Sequence, residues 1–160
     1  MTENTIKNDY IIITHNKDLF KNISDIKELQ NKAYDYILNG NKNYKTIIDT
    51  IDNKKIEFRR ISAKEYVYGR NSRIISQGDN NNIGYYKKKL RLSPFIDELI
   101  YNSNISYHSP LNHESKLFQN GFNNFQGNII IDKIKFRYIV RIGKAKNDNI
   151  FYDVSLVIKD

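Results

Sequence analysis

His113, Arg141 and Ser155 are residues whose types suit one reaction, the cleavage of RNA through its own 2′-hydroxyl without a metal. That reaction asks for a general base on the hydroxyl, a general acid on the leaving 5′-oxygen and cations against the crowded phosphorane, and His, Arg and Lys are sufficient for it. His113, in the polar stretch Ser109 to Asn120 with Glu114 and Lys116 beside it, reads as acid or base. Arg141, with Lys144 near the end of the same segment, reads as the phosphate holder, and Ser155 as a hydrogen-bond donor to a phosphate oxygen. His108 and His113 come with no Cys and no paired carboxylate motif, so neither a metal site nor a cofactor is expected. GxGxxG, GxxxxGK[ST], HExxH and GxSxG are all missing, which removes the motif-based cases for nucleotide, metalloprotease and serine-hydrolase chemistry.

A polyanion needs a cationic seat, and the charge of this chain is concentrated. Residues 54 to 91 hold eleven of the 26 Lys and Arg against three acids, which gives that stretch the whole net charge of +8. Arg59, Arg60, Arg70, Arg73, Lys87, Lys88, Lys89 and Arg91, interleaved with Tyr85 and Tyr86, form the expected nucleic-acid-binding set, joined by Lys144 from the C-terminal segment. The expectation is a ribbon of charge lying alongside the exposed side of a C-terminal sheet, forming a trough for phosphates. The plain alternative is a solvated lysine-rich surface, with Tyr85 and Tyr86 anchoring it to the core.

These groups must be positioned by elements that the periodicity outlines. Tyr10 to Thr14 reads as a strand, followed by a helix capped at Ser24 that carries Ile26, Leu29, Ala33 and Ile37 to a stop at Gly40. Thr46 to Ile51 and Ile56 to Ile61 flank Asp52 and Asn53 as a hairpin, and residues 69 to 84, with three Gly and an Asn run, read as a mobile basic loop. Ser93 and Pro94 open a helix ending near Asn102. Ile134, Phe136, Tyr138, Val140 and Ile142 alternate with Lys135, Arg137, Ile139 and Arg141. Ile150, Tyr152, Val154, Leu156 and Ile158 alternate with Phe151, Asp153, Ser155 and Val157. With Phe125 to Ile131 ahead of them, these runs predict an antiparallel meander that sets Arg141 opposite Asp153 and Ile139 opposite Ser155, with Lys144 opposite Ile150, on the face turned from the core. The fold class expected is therefore α+β, with N-terminal helices packed on a C-terminal antiparallel meander, in one domain spanning residues 1 to 160.

At 160 residues the chain matches one domain, and 39% apolar composition supplies one core. With no Cys the fold needs no disulfide, which suits a reducing cytoplasm, and no apolar run is long enough to span a bilayer. A cytoplasmic protein with no membrane partner is expected.

The stretch from Leu92 to Asp160 resembles modules at the ends of phage polyvalent proteins and bacterial polymorphic toxins, of the barnase, EndoU, colicin and RelE-like nuclease group. The residues that carry the likeness are the SPFIDELIYNS helix, the linker with His113, the Asn120-Gly121-Phe122 turn, Arg141-Ile142-Gly143-Lys144 and Phe151-Tyr152-Asp153. The resemblance implies a ribonuclease-like fold in which His113 and Arg141 fall where such modules place acid/base and phosphate-binding groups. Two functions follow: a metal-independent endoribonuclease of toxin type, with RNA as substrate and an acidic immunity protein as partner, or a non-catalytic phage anti-defence protein that binds a host nucleoprotein complex or its nucleic-acid channel.

Overall fold

The computed structural model describes residues 5–7, 10–12, 18–69, 80–110 and 117–158. After β1 (Thr5–Lys7) and β2 (Tyr10–Ile12), α1 (Ile26–Leu38) begins at Asp25, whose carboxylate accepts from the Glu28 N–H at 3.1 Å, one residue beyond the expected Ser24 cap. Its buried residues, Leu29, Ala33 and Ile37, recur every fourth position and form the stripe that faces the core. A short α2 (Gly40–Asn43) leads to the hairpin of β3 (Ile48–Asp49) and β4 (Lys54–Glu57), with Asn53 in the left-handed region at φ 58°.

The second arm of the hairpin is shorter than its sequence suggests. It ends at Glu57, because the Arg59 N–H donates to Ser62 Oγ at 3.0 Å and opens α3 (Arg60–Tyr68), which buries Ala63, Tyr66 and Val67 at helical spacing. Residues 70–79 of the expected loop lie outside the described residues, and residues 80–84 instead begin α4 (Asn80–Arg91). Gly84 and the Asn run are poor helix formers, but α4 lies against α1 and buries Tyr86, Lys89 and Leu90, and packing overrides propensity. A 3₁₀ turn (Ser93–Phe95) carrying Pro94 passes into α5 (Ile96–Tyr101), which closes at Asn102.

The strands that follow are β5 (Ile105–Ser109), β6 (Phe122–Ile131), β7 (Ile134–Lys144) and β8 (Asn149–Ile158). The fold class expected from sequence needs correction. Helices and strands interleave along the chain rather than segregating into N-terminal helices and a C-terminal meander, and the sheet is mixed. Its strand order is β1-β2-β6-β7-β8-β4-β3, with β5 paired to β6 off that path. β6, β7 and β8 pair antiparallel, but β2 adds to β6 and β4 adds to β8 in parallel. The physical reason is that β8 and β6 leave hydrogen-bonding edges open, and short N-terminal strands with little sequence signal of their own fill them.

One irregularity shapes the sheet. Between Arg141↔Asp153 and Ile142↔Phe151 the register slips by one, so Tyr152 is the extra residue of a β-bulge on β8. The core on the inner face of the sheet continues through an aromatic series, with ring centroids 4.8 Å apart for Tyr44 and Phe58, 5.2 Å for Phe58 and Phe151, and 5.7 Å for Tyr66 and Phe151. Tyr138 donates to the Leu99 carbonyl at 2.7 Å, tying α5 to β7, and lies over Gly127, where a Cβ would run into its phenol.

α5 also buries a carboxylate. Asp97 is nearly enclosed; burial first, and then the charge of Glu98, pushes its carboxyl up to about 6. A carboxyl held above its unfolded value near ~3.9 binds its proton more tightly when folded, so its contribution is full at low pH. That contribution is lost as the pH rises through about 6. Asp97→Asn should therefore raise stability at pH 7.5 by about 2–3 kcal/mol and leave it unchanged near pH 3.5, read as the shift in thermal midpoint at the two pH values. An equal gain at both would remove the carboxyl's charge as the cause.

Candidate nucleic-acid interface and reaction centre

Paired residues in adjacent antiparallel strands project to the same face, so the register defines three rows across the outer side of the sheet. One row runs Tyr107, Asn124, Arg141, Asp153; the next Ile105, Gln126, Ile139, Ser155; the third Asn128, Arg137, Val157. Lys135, opposite Ile130, extends the cationic line one residue pair further along β7. Lys135, Arg137, Ser155 and Val157 are exposed, as are Ile105 and Tyr107 on β5, and Arg141 and Gln126 are half-buried. Among the described residues Lys135, Arg137 and Arg141 form no ion pair, although Lys135 Nζ sits 5.4 Å from the Tyr10 ring centroid. Lys135 and Arg137, with Arg141 beyond Ile139, lie on one face of β7 with the half-buried amides of Gln126 and Asn128 beside them, a surface that suits a phosphate backbone.

At the β8 end of the first row the side chains converge. Arg141 Cζ lies 4.3 Å above the Phe122 ring, and the Phe122 and Tyr152 rings are 5.3 Å apart. Phe118, 5.2 Å from Tyr152 edge-on, completes an aromatic wall. Burial, then the charge of Glu65 and a side-chain hydrogen bond to it, raises the Tyr152 phenol, while Arg141 pulls it down. Glu65 comes from α3 and is half-buried. The bulge brings this about: it removes Tyr152 from the apolar face, where simple alternation puts it, and sets it beside Phe122 and Glu65.

Of the sequence-predicted catalytic residues, Arg141 and Ser155 share the outer face, one row apart, with Arg141 opposite Asp153 and Ile139 opposite Ser155. His113 lies outside the described residues, as do Arg70 and Arg73. Lys144 is on the other face. It stands three residues from Arg141 on a regular strand, pairs with Asn149 across the bulged register, and its Nζ is 3.2 Å from Asp52.

Five cations of the expected binding set, Arg59, Lys87, Lys88, Lys89 and Arg91, are engaged within the molecule. Arg59 bonds Glu57 at 3.1 Å and Asp148 at 2.8 Å, Lys87 donates to the Ser24 carbonyl at 3.0 Å, and Lys88 is 4.0 Å from Asp132. Arg91 pairs with Asp18 and Asp132, which raises its pKa further. Lys89 is buried against Asp153, with Nζ to Oδ1 at 2.6 Å. Tyr86 is buried with its hydroxyl on the Val67 carbonyl, and Tyr85 stands edge-on to Phe136 at 5.9 Å, so both anchor α4 instead of offering faces to bases. Arg60, exposed at the first residue of α3, is the one described Arg of this ribbon with neither an ion pair nor a side-chain hydrogen bond. The α4 part of the expected ribbon packs into the molecule, with its charges matched by the chain's own acids and carbonyls.

A second polar cluster, on the inner side, went unread in the sequence. Asp49 Oδ2 accepts from Asn123 Nδ2 and Asn149 Nδ2, each at 2.8 Å, and Asp52 Oδ2 accepts from the same two amides at 2.8 and 2.9 Å. Burial opposes ionisation of Asp52, but hydrogen bonds from Asn149, Lys144 and Asn123 outweigh it and hold its carboxyl below the ordinary value. With both Asn123 amide hydrogens directed to carboxylates, its Oδ1 must accept from His108 Nδ1, 2.9 Å away. The cluster fastens the β3–β4 turn to β6 and β8. Its partners are up to 100 residues apart, so the only local sign was the Asp-rich turn.

No group of three or more His, Cys, Asp or Glu among the described residues is arranged to hold a metal, and none of their helices is long and apolar enough to cross a membrane. In comparisons with known proteins no family model matches the chain, and no curated protein or solved structure matches it either.

Proposed function

We propose that the protein is a metal-independent endoribonuclease that holds RNA along the outer face of β7 and cleaves it at the Glu65, Tyr152 and Arg141 end. The observation that carries the reading is a line of cations, Lys135, Arg137 and Arg141, that form no ion pair among the described residues and end in an Arg opposite Asp153 and next to a Tyr–Glu pair. In this scheme Glu65 takes the proton from the 2′-hydroxyl as that oxygen bonds to the adjacent phosphorus. Tyr152 gives its phenolic proton to the departing 5′-oxygen as the P–O bond breaks, and recovers a proton from Glu65 afterwards. Arg141 stabilises the charge on the phosphorane. The products are a 2′,3′-cyclic phosphate and a 5′-hydroxyl, so atoms and protons balance with no added water or metal.

Incubation with tRNA and total RNA in EDTA should yield fragments ending in 2′,3′-cyclic phosphate. RNA left intact at high protein concentration would sink the enzyme reading; RNA bound but uncut would favour the non-catalytic binder, whose next test is capture of a stoichiometric host complex.

A further inference from the structure

The outer face carries one more element that the cleavage scheme does not use. Tyr107 lies on β5 in the same row as Asn124 and Arg141, is 40% exposed, and has no ring partner among the described residues. Ile105, two residues away on the same face, is 53% exposed. An exposed aromatic ring two strands from the phosphate-binding Arg lies about 10 Å from it, the strand spacing being ~4.8 Å. That span suits a nucleotide whose phosphate meets Arg141 while a neighbouring base turns outward over β5. A paired base offers its edges and not its face, so only unpaired RNA can use such a platform.

The geometry points to Tyr107 as a base-stacking subsite that makes the outer face selective for single-stranded RNA, the base of one unpaired nucleotide resting on the Tyr107 ring and Ile105 flanking it. This rests on the RNA reading of the same face. Stacking needs the ring and not the hydroxyl, so Phe serves in place of Tyr. Asn124 Nδ2, which donates to Ser109 Oγ at 2.9 Å and to the Tyr107 carbonyl at 3.3 Å, holds β5 in register beneath the ring.

The test uses the full chain and a fluorescein-labelled 2′-O-methyl 12-mer, which cannot be cleaved, alone or annealed to its complement, with binding read by anisotropy. Tyr107→Ala should weaken single-strand binding by about five- to a hundredfold, while Tyr107→Phe stays within about threefold of wild type and duplex binding is unchanged by either. Circular dichroism and thermal midpoint confirm that each variant is folded. Unaltered single-strand affinity in Tyr107→Ala, with Arg137→Ala still weakening it, would overturn the subsite and leave the RNA reading standing. An equal loss in Tyr107→Phe, or an equal loss on the duplex, would also overturn it. Wild-type protein that binds neither probe would remove both.

Discussion

Glu65→Gln should cut the rate of RNA cleavage by about a hundred- to ten-thousandfold, the usual size of a positioned general base. Gln keeps the length of Glu and an oxygen that accepts from Tyr152, so the aromatic wall of Phe118, Phe122 and Tyr152 has no reason to move. What is lost is the capacity to take a proton. Affinity for an uncleavable 2′-O-methyl RNA should therefore stay within about threefold of wild type, since the phosphate contacts come from β7. Tyr152→Phe removes the donor instead and should also slow cleavage, but without restoring anything when combined with Glu65→Gln, because groups that act as a unit are not additive. Single-turnover cleavage of a short RNA, with product ends identified, decides the matter. A Glu65→Gln variant that cleaves at the wild-type rate would remove Glu65 as the base and with it the site as described.

Lys89→Met should be the most destabilising single change in the cationic segment, at about 3–5 kcal/mol, whereas a surface lysine is worth roughly 0–1 kcal/mol. Lys89 is 4% exposed, its Nζ lies 2.6 Å from Asp153 and 5.0 Å from the Tyr66 ring centroid, and its carbonyl accepts from the Tyr66 hydroxyl. Burial already raises the Asp153 carboxyl, and Lys89 is the largest influence holding it down. Without that ammonium the folded carboxyl binds its proton well above its unfolded value, so the penalty should be full near pH 8 and shrink as the pH falls and Asp153 protonates. Replacing both partners, Lys89→Met with Asp153→Leu, removes the stranded charge and should recover most of the loss. Urea unfolding at pH 5 and pH 8 measures all three quantities. A loss under about 1 kcal/mol for Lys89→Met at pH 8 would show the pair to be a solvated surface contact. A Lys87, Lys88 and Lys89 triple alanine variant would confound this collapse with any loss of RNA binding.

The clearest sequence signals held where the physics is local. The alternation from Ile134 to Ile142 gave a strand whose inner residues from Phe136 to Ile142 are buried, with Ile134 exposed at its start, and it set Lys135, Arg137 and Arg141 on the other face. The pairing of Arg141 with Asp153 and of Ile139 with Ser155 came out as expected although it was set by placing Lys144 opposite Ile150; Lys144 instead pairs with Asn149, and the extra residue of the bulge makes up the difference. The stripe of Leu29, Ala33 and Ile37 on α1 followed from the helical period of 3.6. These features depend on backbone geometry that repeats every few residues, and a sequence displays them directly.

Tertiary structure decided everything that one inserted residue or one distant partner could change. Simple alternation groups Tyr152 with Ile150, Val154 and Leu156, but the bulge on β8 reverses the order at that point, burying Phe151 in the core and bringing Tyr152 out to Glu65. Charge counting could find the cations of residues 54 to 91 but not their partners. Whether Lys89 or Arg91 is available to a ligand depends on Asp153, Asp18 and Asp132, which lie far away in the chain. The parallel additions of β2 and β4 and the amide clamp on Asp49 and Asp52 are likewise contacts between remote segments. Periodicity is written in the order of residues; the packing of remote segments on the sheet, and therefore which charges remain for an outside partner, is written only in their distances.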